Sequence, residues 1–216
     1  METQNKHNSV TLFVKVAAKA ESQDKAKSAL LDDVHGAWTE SGNLKMELYE
    51  ANNQPNSFYL FERWQDQASL ENHFKQPYTT AAFDLQANDL TDPIEMNYLV
   101  DLWPLKEDLK KQEHRALTTL IVPFEVSPGN GEKLVELFEK FVPIVRQERG
   151  NVEFHFHKVI GDDNLFVLYE RWEKQEDLDH HNTQQTTIEL VNKVGSLLKG
   201  TVLDSILFAT DISKEH

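Results

Sequence analysis

FYLFERWQDQASLENH, Phe58 to His73, is answered later in the chain by FVLYERWEKQEDLDHH, Phe166 to His181. Eight of the sixteen positions are identical: Phe58, Leu60, Glu62, Arg63, Trp64, Gln67, Leu70 and His73 recur in the second stretch. The same shift of 108 residues aligns the rest of the chain without a gap. Leu12 and Val14 fall on Leu120 and Val122, Gly42-Asn43 on Gly150-Asn151, Gln76 on Gln184, and Leu99 on Leu207. The chain is therefore a tandem duplication. Copies of about 100 residues suit two domains of ordinary size or two halves of one. The reading is repeat one over 9–102, a charged linker over 103–116 and repeat two over 117–210.

Each copy reads as β-α-β-β-α-β. The first strand is expected at Val10–Ala17 and Leu117–Val126. A helix follows, at Ser22–Glu40 and Asn130–Arg149, with apolar residues at helical spacing (Ala26, Leu30, Val34, Trp38; Leu134, Phe138, Phe141, Val145). Gly42 and Gly150 stand where a helix stop takes positive φ, and Pro143 predicts a kink. The second strand is expected at Leu44–Glu50 and Val152–Ile160, and hairpin turns at 52–56 and 161–164. The third strand is the opening stretch. A second helix starts near Asp66 and is broken by Pro77; the last strand is expected at Ile94–Leu102 and Val202–Thr210. Residues 104–114 of the linker suggest a surface helix.

One four-stranded sheet with two helices on one face leaves its other face bare. Two copies closing face to face would bury it, a physical reason for the duplication. The predicted fold class is thus α+β: two ferredoxin-like repeats closing as a pseudo-dimeric α+β barrel, an intramolecular version of a homodimer.

Alternation along a strand puts Phe58, Leu60, Glu62 and Trp64 on one face and Tyr59, Phe61 and Arg63 on the other. Phe166, Leu168, Glu170 and Trp172 repeat the first set. His73, three residues after Leu70, belongs to the buried face of its helix, and His181 repeats this after Leu178. If that helix packs on the Glu/Trp face, a carboxylate, an indole and an imidazole converge in each copy. A carboxylate buried among apolar side chains has its pKa raised, which makes a Glu a usable acid or base. The plainer reading is that each His is a core residue and each Glu its structural partner. His155 and His157 alternate on one strand with no obvious carboxylate partner at ligand spacing, so no metal is expected.

Composition narrows the class. The 216 residues carry a formal net charge of -14, which disfavours nucleic acid and anionic membranes. With no Cys there is no disulfide, thiolate metal site or Cys nucleophile. No apolar run approaches a membrane span and the N-terminus lacks a signal-peptide core, so the expected location is cytoplasmic. No phosphate-binding Gly loop, dinucleotide fingerprint or nucleophile elbow is present.

PheTyrLeuPheGluArgTrp (58–64), Leu70…His73 and Pro77-Tyr78, with PheValLeuTyrGluArgTrp (166–172) and Leu178…His181, resemble the antibiotic biosynthesis monooxygenase (ABM) domain. SerProGly (127–129) adds to the likeness. The resemblance covers roughly 9–101 and 117–210 and implies a ferredoxin-like fold pairing into a dimeric α+β barrel, with a pocket between helices and sheet. It implies one of several activities: oxygenation of quinols or anthrones by O2 without metal or flavin, heme degradation, or isomerisation of a small phosphorylated signal. The heme-degrading pattern fails here, since its Asn and His positions hold Val16, Phe124, Phe83 and Val191. Tyr78 stands where the isomerase pattern has His, and Gln185-Thr186 stands there in copy two, which brings copy one closer to the family pattern.

The expected function is a cofactor-independent monooxygenase acting on a quinol-like or polycyclic aromatic, with O2 and this small molecule as its partners. A homodimer of the fused chain is left open. The expected catalytic residues are His73, Glu62, His181 and Glu170; Trp64, Trp172, Phe58, Tyr78 and Phe166 are expected to line the substrate, with no cofactor. The rival readings are an isomerase or other acid–base enzyme on a small polar metabolite, and a non-catalytic binding protein.

Overall fold

The computed structural model describes residues 9–104 and 117–215; the helix expected in the linker lies outside them. The chain is α+β and divides into two units. In unit one β1 (Val10–Ala17), α1 (Gln23–Thr39), β2 (Asn43–Ala51), β3 (Ser57–Trp64), α2 (Gln67–His73) and α3 (Pro77–Asp84) lead into β4 (Glu95–Trp103), whose residues to Leu99 belong here. Unit two holds Val100–Trp103, then β5 (Thr118–Glu125), α4 (Gly131–Val145), β6 (Asn151–Val159), β7 (Leu165–Trp172), α5 (Gln175–Thr183), α6 (Gln185–Gly195) and the one-turn α7 (Val202–Ser205). A last strand, β8 (Ala209–Asp211), belongs to unit one, where Tyr49 pairs with Asp211 and Ala51 with Ala209.

Unit one has the strand order β4-β1-β3-β2-β8, and unit two the core order β5-β7-β6. All the paired strands of these ladders are antiparallel, and the duplication holds at the level of register. Val10 faces Trp64 as Thr118 faces Trp172, and Leu12 faces Glu62 as Leu120 faces Glu170. Even the bulge recurs, between Asn43 and Lys45 and between Asn151 and Glu153. In both copies the helix-facing side of the sheet packs the core: Leu12, Val14, Leu60 and Trp64 with Leu30 and Val34 of α1, and Val122, Leu168 and Trp172 with Leu134, Phe138 and Val145 of α4. The opposite side of β3 is buried as well, with Phe61 and Arg63 both sequestered.

Three expectations are corrected. Val202–Thr210 is not one strand: Thr201 and Asp204 form a reciprocal capping box that starts α7, leaving only Ala209–Asp211 extended. Copy one has Pro93 in place of Thr201 and cannot make this cap. α4 carries Pro143 in its last turn and stops at Val145, short of the expected Arg149. Gly150 and Gly161 take positive φ (78° and 89°), but Gly42 does not. Gly42 is needed for space, since a Cβ there would lie 2.3 Å from the Ser69 hydroxyl. Among the described residues no helix is long and apolar enough to cross a membrane.

Candidate functional site

Each copy brings its Glu, Trp and His together between sheet and helices. In unit one Asp66 caps α2 by accepting from Ser69 N, and the helix ends on His73. That places the imidazole over Trp64, with ring centroids 4.4 Å apart. Trp64 Nε1 donates to Glu62 Oε2 at 2.9 Å. In unit two His181 lies 4.8 Å from Trp172 by ring centroids, and Trp172 Nε1 donates to Glu170 Oε2 at 2.8 Å. The convergence is as alternation implies, yet the Glu bonds the indole and not the imidazole.

The imidazole has a different carboxylate. His73 Nδ1 is 2.8 Å from Glu40 Oε1, and His181 Nδ1 is 2.9 Å from Glu148 Oε2. Glu40 and Glu148 close the loop after α1 and α4 and were missed in the sequence. The signal was there: Glu40-Ser-Gly42-Asn43 and Glu148-Arg-Gly150-Asn151 repeat at the same shift as the opening stretch. A carboxylate can only accept, so in a neutral ring Nδ1 carries the hydrogen and Nε2 is the basic nitrogen.

Beyond this shared core the copies part. In unit one Asp33, on α1, lies 3.6 Å from His73 Nε2 and accepts the Thr79 hydroxyl at 2.6 Å. The Tyr78 hydroxyl donates to Glu40 at 2.9 Å. The Tyr78 ring lies against α1 at Gly36, where a Cβ would stand 2.5 Å from it. His73, Glu40, Tyr78, Thr79 and Asp33 thus partner one another within the unit. Gly36→Ala tests this packing. An exposed helix site gains about 1 kcal/mol from such a change, whereas here a loss of about 1–3 kcal/mol is expected from the clash, read by urea unfolding.

Unit two has Phe141 for Asp33, Thr186 for Tyr78 and Ile144 for Gly36. There a cavity of about 80 Å³ opens between sheet and helices. Its walls include Leu120, Phe138, Phe141, Phe154, Leu168 and Val194, and its polar residues are Glu170, His181, Asn182 and Thr187. No Lys or Arg lines it. Burial pushes the Glu170 carboxyl up to about 8, against the indole hydrogen bond, and the nearby Glu148 charge adds to the rise. Burial lowers the His181 pKa, against the pull of Glu148, so the ring is neutral near pH 7. In unit one Glu62 is raised by burial to about 7, less far because His73 lies near.

Of the expected site residues, Glu170 and His181 line this cavity. Trp172 and Phe166 are buried but are not among its lining. Phe58, Glu62, Trp64 and His73 are buried in unit one, and Tyr78 is half-buried there. On the other sheet face His157 Nδ1 meets Asp101 at 2.8 Å and His155 meets Glu153 at 3.8 Å, carboxylate partners the spacing did not reveal. Among the described residues no group of three or more His, Cys, Asp or Glu is arranged to hold a metal ion.

A sequence profile of the antibiotic biosynthesis monooxygenase family matches residues 9–85 and 118–187. Curated relatives match in part. The "Uncharacterized protein sll1783" of Synechocystis is 30% identical over 74 residues, 34% of this chain and 50% of that protein. The "Putative monooxygenase YcnE" of Bacillus subtilis is 28% identical over 58 residues, 27% of this chain and 61% of that protein. The chain thus spans only half to three-fifths of these relatives' length. The crystal structure of a "Putative monooxygenase (FN1347)" from Fusobacterium nucleatum shares the fold over 96% of both chains, with a TM-score of 0.76 at 14% identity. With the profile matched once in each copy, the chain belongs to the antibiotic biosynthesis monooxygenase family as a tandem duplicate.

Proposed function

We propose that the chain is a cofactor-independent monooxygenase that oxidises a quinol-like aromatic with O2, and that the reaction occurs in the cavity of unit two. The observation that carries this reading is an apolar cavity lined by both His181 and Glu170, where burial lowers the pKa of the imidazole and raises that of the carboxyl. Triplet O2 reacts slowly with closed-shell organic molecules, but a deprotonated quinol is a strong enough reductant to transfer an electron to it. His181 Nε2 takes the proton from the substrate hydroxyl, and Glu148 stabilises the imidazolium through Nδ1. Glu170 holds a proton that it can deliver to the reduced oxygen. The apolar walls exclude water and favour the aromatic ring.

The cavity is about half the ~150 Å³ of an apolar cavity known to take benzene. Entry of one ring requires the Phe side chains to shift, and a polycyclic substrate requires far more, so the geometry favours the small end of the class. The walls carry no Lys or Arg to neutralise a phosphate, which disfavours the isomerase reading.

Oxygen uptake with a panel of dihydroquinones tests the proposal. The rate should fall in acid as His181 protonates, at a pH below the ordinary imidazole value because burial lowers its pKa. It should fall again above about 8 as Glu170 ionises. A chain that consumes no O2 with any member of the panel is not this enzyme.

A further inference from the structure

The two copies carry the same hydroxyl at equivalent positions, Thr79 and Thr187, in opposite circumstances. Thr79 donates to Asp33 at 2.6 Å, next to the half-buried Tyr78, whose hydroxyl donates to Glu40. Thr187 is 6% exposed and lines the cavity, and its hydroxyl has no protein partner. The cause is one exchange: Phe141 stands where Asp33 stands in the first copy. A buried hydroxyl without a partner is destabilising, and folding alone does not account for keeping it. It becomes favourable when something entering the cavity supplies the missing hydrogen bond. His181 and Glu170 border the same space, so a ring bearing a hydroxyl finds polar groups on otherwise apolar walls.

We infer that only the second copy is a ligand site, that its ligand is a small hydroxyl-bearing aromatic of the phenol class, and that Thr187 selects that hydroxyl, while Asp33 and Tyr78 close the equivalent space of the first copy. This rests on the proposed function for the place of the site and not for the reaction. Phe141 is then the residue that separates the copies, because a carboxylate there would capture Thr187 as Asp33 captures Thr79.

The test is binding by the full chain, measured by calorimetry or 19F NMR, with 4-fluorophenol and fluorobenzene as probes. The expected result is one site per chain that prefers the phenol. Thr187→Val preserves shape; it should weaken 4-fluorophenol about tenfold, leave fluorobenzene unchanged or tighter, and raise the melting temperature of the free chain by about 2–4 °C. Phe141→Asp should abolish binding of both probes. Should that variant not fold, Thr187→Val still decides. Two equivalent sites, no binding at millimolar probe, or a Thr187→Val variant that keeps its full preference for the phenol each overturn the inference. Phenol binding at one site without any O2 consumption sinks the monooxygenase proposal and leaves this inference standing.

Discussion

Glu170→Gln should make the protein more stable and stop its turnover. The ordinary Glu pKa is 4.5, and burial raises that of Glu170 to about 8. The folded chain therefore binds this proton more tightly than the unfolded chain does. Between the two values the unfolded state has already lost the proton, so stability falls as pH rises. Below pH 4.5 both states are protonated and the group contributes no difference. At pH 7 the cost of holding Glu170 in the core is on the order of 3 kcal/mol. A glutamine is neutral at every pH and its amide oxygen can still accept from Trp172 Nε1. Urea unfolding should show the variant ahead of the parent at pH 7 and level with it near pH 4.5. An advantage that does not vary with pH would mean that Glu170 is not protonated in the core. Turnover should fall by roughly 10²–10⁴, the usual contribution of a placed acid. A variant that is both more stable and fully active would remove Glu170 from the chemistry.

Much of this fold was legible in the opening stretch, because a fixed shift of 108 residues carries strand register with it. The pairing of Leu12 with Glu62 and of Leu120 with Glu170 follows from strands of equal length joined by turns at equal positions. Period-two alternation then placed Glu62 and Trp64 on the helix side, where they are found. What could not be read was long-range partner choice. Glu40 reaches His73 across 33 residues, and nothing in the local pattern of either says so. Where the copies differ, the repeat says less. Pro77-Tyr78 brings copy one nearer to the family pattern, but it does not tell that Tyr78 bonds Glu40 or that a cavity opens in copy two. The exchange of Asp33 for Phe141 is a single letter in the alignment, but it converts a closed hydrogen-bonded core into a space with an unpaired hydroxyl. The C-terminal strand failed for a local reason, because Thr201 and Asp204 cap a helical turn that Pro93 denies to copy one.

The same asymmetry makes the two histidines separable by experiment. His73 is 1% exposed and stands between Glu40 at 2.8 Å and Asp33 at 3.6 Å. His73→Ala removes the partner both carboxylates share and leaves Asp33, held up in pKa by burial, with only the Thr79 hydroxyl. Each buried carboxylate left short of a hydrogen-bond partner costs about 1–3 kcal/mol, and two are affected here. Turnover of the folded fraction should be little changed, since unit one holds no part of the proposed reaction. His181→Ala is the reverse case. It frees only Glu148, and Phe141 in place of Asp33 means no second carboxylate is orphaned. Its stability cost should be about 1–3 kcal/mol, but loss of the base should lower the rate by roughly 10²–10⁴. Denaturant unfolding and initial O2 uptake on the same two preparations give both numbers. Equal losses of rate in the two variants would mean that both copies work. A dead His73→Ala with unchanged unfolding would move the active site to unit one, and with it the meaning of every difference between the copies.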